Sequence, residues 1–206
     1  MKNKKIIFIC IFILIFLIII LISYYKKQNS GNNISKSITD FKEYILNISS
    51  YEATISVEVT SNKNTNKYII KQWYSSPNIF KQEVQEPENI KGLIILYDGS
   101  NLKIQNSRLN LEKIYKDYSC LTNNILSLNG FIADCKKTEP ECMETEDEIT
   151  LEVINGNKYD YYKRLTISKR SGMPTKMEIM DENKKTLVYI LYNEITINGK
   201  ISEDIM

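Results

Sequence analysis

The chain contains no histidine. That removes Ser-His-Asp and Cys-His activation of a nucleophile, and His-ligated catalytic zinc with them. Acid–base chemistry would fall to carboxylates, lysine or tyrosine. No C-x-x-C pair occurs among Cys10, Cys120, Cys135 and Cys142, so a Cys₃ metal site lacks the usual spacing. No basic stripe with interleaved aromatics is present, which leaves nucleic-acid binding without support. These absences predict a protein that is no enzyme and holds no metal or cofactor.

What is present starts with an unbroken apolar run, Ile6 to Ile22, between Met1-Lys-Asn-Lys-Lys5 and Tyr24-Tyr-Lys-Lys27. At about 1.5 Å per residue, a helix over Ile6–Tyr25 spans a hydrocarbon core of about 30 Å. A cleaved signal peptide would have a shorter run and small residues at the cut, where Ser23-Tyr24-Tyr25 stands. A lipoprotein signal would end its run at a lipidated cysteine, and Cys10 sits in mid-run. The expectation is an uncleaved, single-pass signal anchor (1–27), a polar linker (28–36) and an extracytoplasmic domain (37–206) at the cell membrane. Five of the 27 Lys and Arg residues flank the run, so the exported part has 22 basic against 25 acidic side chains, net −3. Outside the cytoplasm disulfides persist. Three exported thiols leave one unpaired, and loop closure favours a Cys135–Cys142 bridge, with other pairings open.

Periodicity organises the rest. Ile38, Phe41, Ile45 and Ile48 recur at helical spacing and predict a helix over 37–50. Ala53, Ile55, Val57 and Val59 alternate with polar residues, as in a half-buried strand. Further strands are expected at 68–75, 79–85 and 93–97, then a hairpin on Asp98-Gly99. Leu109, Leu111, Ile114 and Tyr115 suggest a short helix; Leu121, Ile125, Leu128 and Ile132 suggest a second. Thr138 to Glu148 reads as an acidic loop, and strands resume at 149–153, 159–168, 175–180 and 186–197. Tight links between successive strands imply antiparallel pairing. The class is α+β: one large curved antiparallel sheet, helices on its concave face, and the N-terminal transmembrane helix.

Several strings carry a resemblance. Ser76-Pro-Asn-Ile-Phe-Lys-Gln-Glu-Val84, Lys91-Gly92 and Ile95-Leu-Tyr-Asp-Gly-Ser100 stand in the first half, and Gly172-Met-Pro174, Asp181-Glu-Asn and Asn198-Gly-Lys-Ile201 in the second. Over about Ile38 to Ile201 the chain resembles the lipoprotein-carrier-like (LolA-like) superfamily, and looks closest to its clostridial germination lipoproteins of GerS type. The resemblance implies a non-catalytic half-barrel outside the membrane. Its implied partner is a CwlD-like N-acetylmuramoyl-L-alanine amidase in spore cortex maturation.

Ser100-Asn-Leu-Lys103 fits S-x-x-K, but that chemistry needs one helical face, and in a strand residues three apart point to opposite sides. The carboxylates from Glu139 to Glu148 lack the glycine and alternation of a calcium loop. Trp73, Tyr74, Tyr97, Tyr159, Tyr161 and Tyr162 suit ordinary sheet packing. The sharper reading is a hydrophobic cleft lined by Trp73, Tyr74, Leu93, Ile95 and Tyr97 from the sheet, and by Leu121, Ile125 and Leu128 from the helices. Such a cleft would take a partner segment, as in a scaffold assisting a cell-wall amidase in sporulation and germination. Alternatively it would take a lipid, as in a lipoprotein carrier or envelope-stress sensor. Open sheet edges also allow a homodimer.

Overall fold

The computed structural model describes residues 37–61, 63–118, 126–158 and 160–201. The expected anchor and linker lie outside the described residues, as do Cys120, Leu121 and Ile125. Among the described residues no helix is long and apolar enough to cross a membrane.

The chain order is α1 (Ile38–Leu46), β1 (Ser50–Thr60), β2 (Thr65–Ser75), β3 (Ile79–Glu86), β4 (Ile94–Asp98), β5 (Leu102–Asn106), β6 (Leu111–Tyr115), α2 (Leu128–Lys137), β7 (Glu141–Glu144), β8 (Glu148–Asn157), β9 (Asp160–Ser168), β10 (Pro174–Met180) and β11 (Thr186–Ile197). All eleven strands join one open antiparallel sheet, ordered β6-β5-β4-β3-β2-β1-β11-β10-β9-β8-β7. Two meanders, β1–β6 and β7–β11, are fused along a single seam where β1 pairs with β11.

Side-chain parity divides the sheet into two faces. On β1, Tyr51, Ala53, Ile55 and Val57 are buried, while Glu52, Thr54 and Ser56 are half-buried on the other side. The helices cover the first face. On α1, Phe41 and Ile45 point inward one turn apart. On α2, Leu128, Phe131, Ile132 and Cys135 form one buried stripe. Ser127 starts α2 by accepting a hydrogen bond from the Gly130 N–H (3.1 Å), and Lys136 and Lys137 stand in its last turn, where the helix dipole favours cations.

Two elements differ from the sequence expectation. The expected helix around Leu109–Tyr115 is a turn followed by edge strand β6, because Leu111–Tyr115 pair residue by residue with β5. Asn106 Oδ1 takes the Arg108 and Leu109 N–H groups, and Asn110 adopts φ 49°, which closes the hairpin. The acidic loop contains a short strand, β7, which pairs with β8 and turns Cys142 toward Leu151. Cys135 and Cys142 are both free thiols. Burial pushes the Cys135 thiol up to about 12 and raises that of Cys142, so neither is a ready nucleophile.

Candidate functional site

The helices cover the sheet unevenly. The buried apolar cluster draws on β1, β2 and β8–β11, and none of its buried members comes from β3–β6. The wing formed by β3–β6 continues the helix-side face with Phe80, Val84, Tyr97, Ile95, Leu102 and Ile104 by register. Phe80, Val84 and Tyr97 are buried, but Ile95, Leu102 and Ile104 are only half-buried. Farther out, β6 is exposed along its whole length. Leu109, Leu111, Ile114, Tyr115 and Tyr118 all stay exposed around it, at 36–54 %. Large apolar side chains gathered at one sheet edge mark an interaction surface more often than scattered ones do.

Two buried glutamines stand where this wing joins the core. Gln72 on β2 and Gln82 on β3 are register partners on the helix-side face, and both are buried. Gln72 Nε2 donates to the Leu126 carbonyl (3.4 Å), but among the described residues the Oε1 atoms of both glutamines have no hydrogen-bond partner. Each such orphan acceptor costs about 1–3 kcal/mol. They can receive N–H or O–H donors.

The frame of the wing is well tied. Asp98 closes the β4–β5 turn, accepting from the Ser100 and Asn101 N–H groups (2.9 and 2.7 Å) and from the Asn101 side chain. The Asn101 side chain, with these backbone N–H groups, holds the Asp98 carboxyl below its ordinary value. Tyr97 donates its hydroxyl to the Gly99 carbonyl (3.0 Å), and Gly99 takes φ 98°, which a side chain would resist. Asn106, almost fully buried, donates to the Ile90 and Lys91 carbonyls and so pins the loop before β4 to the turn before β6.

Of the expected cleft residues, Tyr74, Ile95 and Tyr97 share the helix-side face. Leu93 is half-buried just before β4, its carbonyl accepting from the Val84 N–H (2.9 Å). Trp73 does not belong with them: it neighbours Tyr74 in a strand, so it points to the opposite face. There it pairs with Glu52 and Lys81, and Lys71 and Lys81 lie over its ring at 5.0 and 5.2 Å. Leu128 is fully buried in the main core. Ser100 and Lys103 are not partnered: Ser100 lies in the exposed turn and Lys103 pairs with Glu112 at 3.3 Å. Among the described residues no cluster of His, Cys, Asp and Glu could hold a metal.

A buried charge cluster escaped the sequence reading. Lys163 on β9 is 1 % exposed, facing Asp134 of α2 (2.5 Å) and Asp160 (3.6 Å), and Asn155 also donates to Asp134. A signal existed, because Lys163 occupies the apolar parity of Leu165 and Ile167. The cluster fastens α2 to the sheet.

The family described as "Sporulation protein YdcC-like" matches residues 3–206. The sporulation protein YdcC of Bacillus subtilis (strain 168) is 18 % identical over 169 residues, 79 % of this chain and 48 % of that protein. The chain thus spans about half the length of the curated relative it matches. An uncharacterized conserved protein from Thermus thermophilus shares the fold, with TM-score 0.50 and 13 % identity over 80 % of this chain and 87 % of that one. Also similar is the structure of the CwlD amidase from Clostridioides difficile in complex with the GerS lipoprotein, at TM-score 0.42 and 20 % identity, covering 84 % of this chain and 96 % of that one. A large open antiparallel sheet with helices on one face is the architecture that the resemblance of the turn motifs implied. With nearly its whole length matched, this chain belongs to the YdcC-like family of sporulation proteins.

Proposed function

We propose that the chain is a membrane-anchored, non-catalytic binding protein of the sporulation envelope, which holds a cell-wall amidase of CwlD type at the membrane. In this reading residues 1–27 are the anchor, 28–36 a linker, and 37–206 a domain working outside the cytoplasm. The observation that carries the reading is the wing: among the described residues, an apolar strip outside the helix-packed core that ends in an exposed apolar edge. Membership of a sporulation family supplies the setting. The likeness of the turn motifs to GerS-type proteins supplies the amidase as partner.

Crosslinking of the full chain in sporulating cells, followed by identification of the captured protein, tests this. Recovery of an amidase is expected; recovery of no envelope hydrolase overturns it. A second reading, a lipid or lipoprotein carrier or stress sensor, draws on half-buried Ile95, Leu102 and Ile104. It requires acyl chains on the purified protein in native mass spectra.

A further inference from the structure

We propose that β6 takes up one added β-strand from a different protein, an extended segment with apolar side chains four residues apart and a carboxylate midway between them, all three on one face. The inference rests on the binding-protein reading above and names the docking mode and the chemistry of the partner. Among the described residues β6 is the outer strand of the sheet, and an edge strand presents a row of backbone N–H and C=O groups to any strand laid alongside. Natural edges are blunted by bulges, proline or inward charge. This one has no register shift against β5 and no proline, its single helix-side charge is Lys113, and it is flanked by exposed apolar groups on both faces: Leu111 and Tyr115 on one, Ile114 on the other.

Charge selects the occupant. Lys113 lies between Leu111 and Tyr115 on the helix-side parity and stacks over the Tyr115 ring at 5.7 Å. Among the described residues no carboxylate pairs with it, whereas Glu112 is already held by Lys103. A partner strand that matches this edge therefore puts Asp or Glu opposite Lys113 and apolar groups opposite Leu111 and Tyr115.

A second copy of this chain fits poorly. In antiparallel self-pairing, facing residues share parity, so the two-fold axis must fall on a residue. Centred on Lys113, the register that pairs all of β6 sets lysine against lysine. Centred on Glu112, it sets glutamate against glutamate. Like charges directly opposite destabilise a ladder. Centred on Ile114, the pairing runs into Lys116 and Asp117, where the chain turns and Asp117 has φ 52°. A foreign strand avoids all three faults.

The test uses the full chain in detergent micelles and two fluorescein-labelled peptides, Val-Val-Glu-Thr-Val and its twin with Lys in the middle. Anisotropy titrations should show the Glu peptide binding about fivefold tighter than the Lys twin, the span that cross-strand charge pairs command. Lys113→Glu, an exposed change that leaves the fold intact, should invert the order. Amide exchange at 111–115 should slow only with the Glu peptide bound. Absence of binding, or a preference indifferent to position 113, overturns the proposal. So does a dimer that protects 111–115 without peptide. If the peptides fail while cellular crosslinking recovers the amidase, strand addition falls and the binding-protein reading stands. If the peptides bind as expected and crosslinking recovers no hydrolase, the reverse holds.

Discussion

At the scale of single residues, the least exchangeable group is Lys163. Its ammonium is buried under α2 and is neutralised by Asp134, with Asp160 and Asn155 alongside. A buried pair of this kind gains little net stability over apolar groups of the same size, because desolvation offsets the Coulomb term. Breaking it is another matter. Lys163→Met leaves the Asp134 carboxylate buried without its cation, a loss of about 3–5 kcal/mol. The double variant Lys163→Met/Asp134→Leu removes both charges and should recover most of that loss. Urea denaturation of the four members of the cycle checks this. A double variant no more stable than Lys163→Met would show that the cluster holds α2 by something other than charge compensation.

At the scale of elements, legibility followed periodicity. Strand β1 was readable from its alternation, and β11 from its length, because one face of each is buried and the other is not. Edge strands escaped. Strand β6 is exposed on both faces, so no alternation marks it, and the spacing of Leu111, Ile114 and Tyr115 mimics a helix. Strand β7 hides in a run of carboxylates because only Cys142 turns inward. Of the residues expected to line a cleft, Tyr74, Ile95 and Tyr97 share the helix-side face, while Trp73 stands one step of strand parity away and faces the other side, because strand bounds were legible in the sequence but the buried parity of β2 was not. The opposite face of β8–β9 shows what charge does in this sheet. Glu152 is almost fully buried, with Arg164 at 2.6 and 2.8 Å and Lys184 at 2.7 Å. Burial alone would raise its carboxyl, but the Lys184 and Arg164 hydrogen bonds outweigh it and hold the group below its ordinary 4.5. A carboxyl lowered on folding stabilises the fold above its unfolded value, and that stabilisation is lost as pH falls through the folded value. Melting temperatures from neutral pH down to about pH 3 should therefore show Glu152→Gln less stable than wild type at neutral pH, with the gap closing below about 4.5. A gap constant with pH would mean that Glu152 contributes by shape and not by charge.

At the scale of the whole molecule, one seam makes two meanders into one sheet. Strands β1 and β11 are far apart in sequence, so their pairing closes a long loop and is entropically the most expensive ladder to form. Its register is locked at one end by Asn198. The Oδ1 of Asn198 accepts from the Ser49 N–H (2.9 Å), the Ser49 hydroxyl (3.1 Å) and the Ser50 N–H (3.4 Å), while its own N–H donates to the Ser50 carbonyl (2.8 Å). Asn198 does this from φ 55°, a left-handed conformation that asparagine tolerates and alanine resists by about 1–2 kcal/mol. The two effects can be separated. Asn198→Gly keeps the backbone geometry and loses the side-chain acceptor; Asn198→Ala loses both. Alanine should therefore be the less stable variant, by about 1 kcal/mol. Because the seam joins both halves, the loss should appear as one cooperative transition, with exchange of β4 and β9 amides accelerated alike. If only the first meander loosened, the seam would be a contact between two independently folding halves, and the wing would no longer owe its position to the helix-covered core.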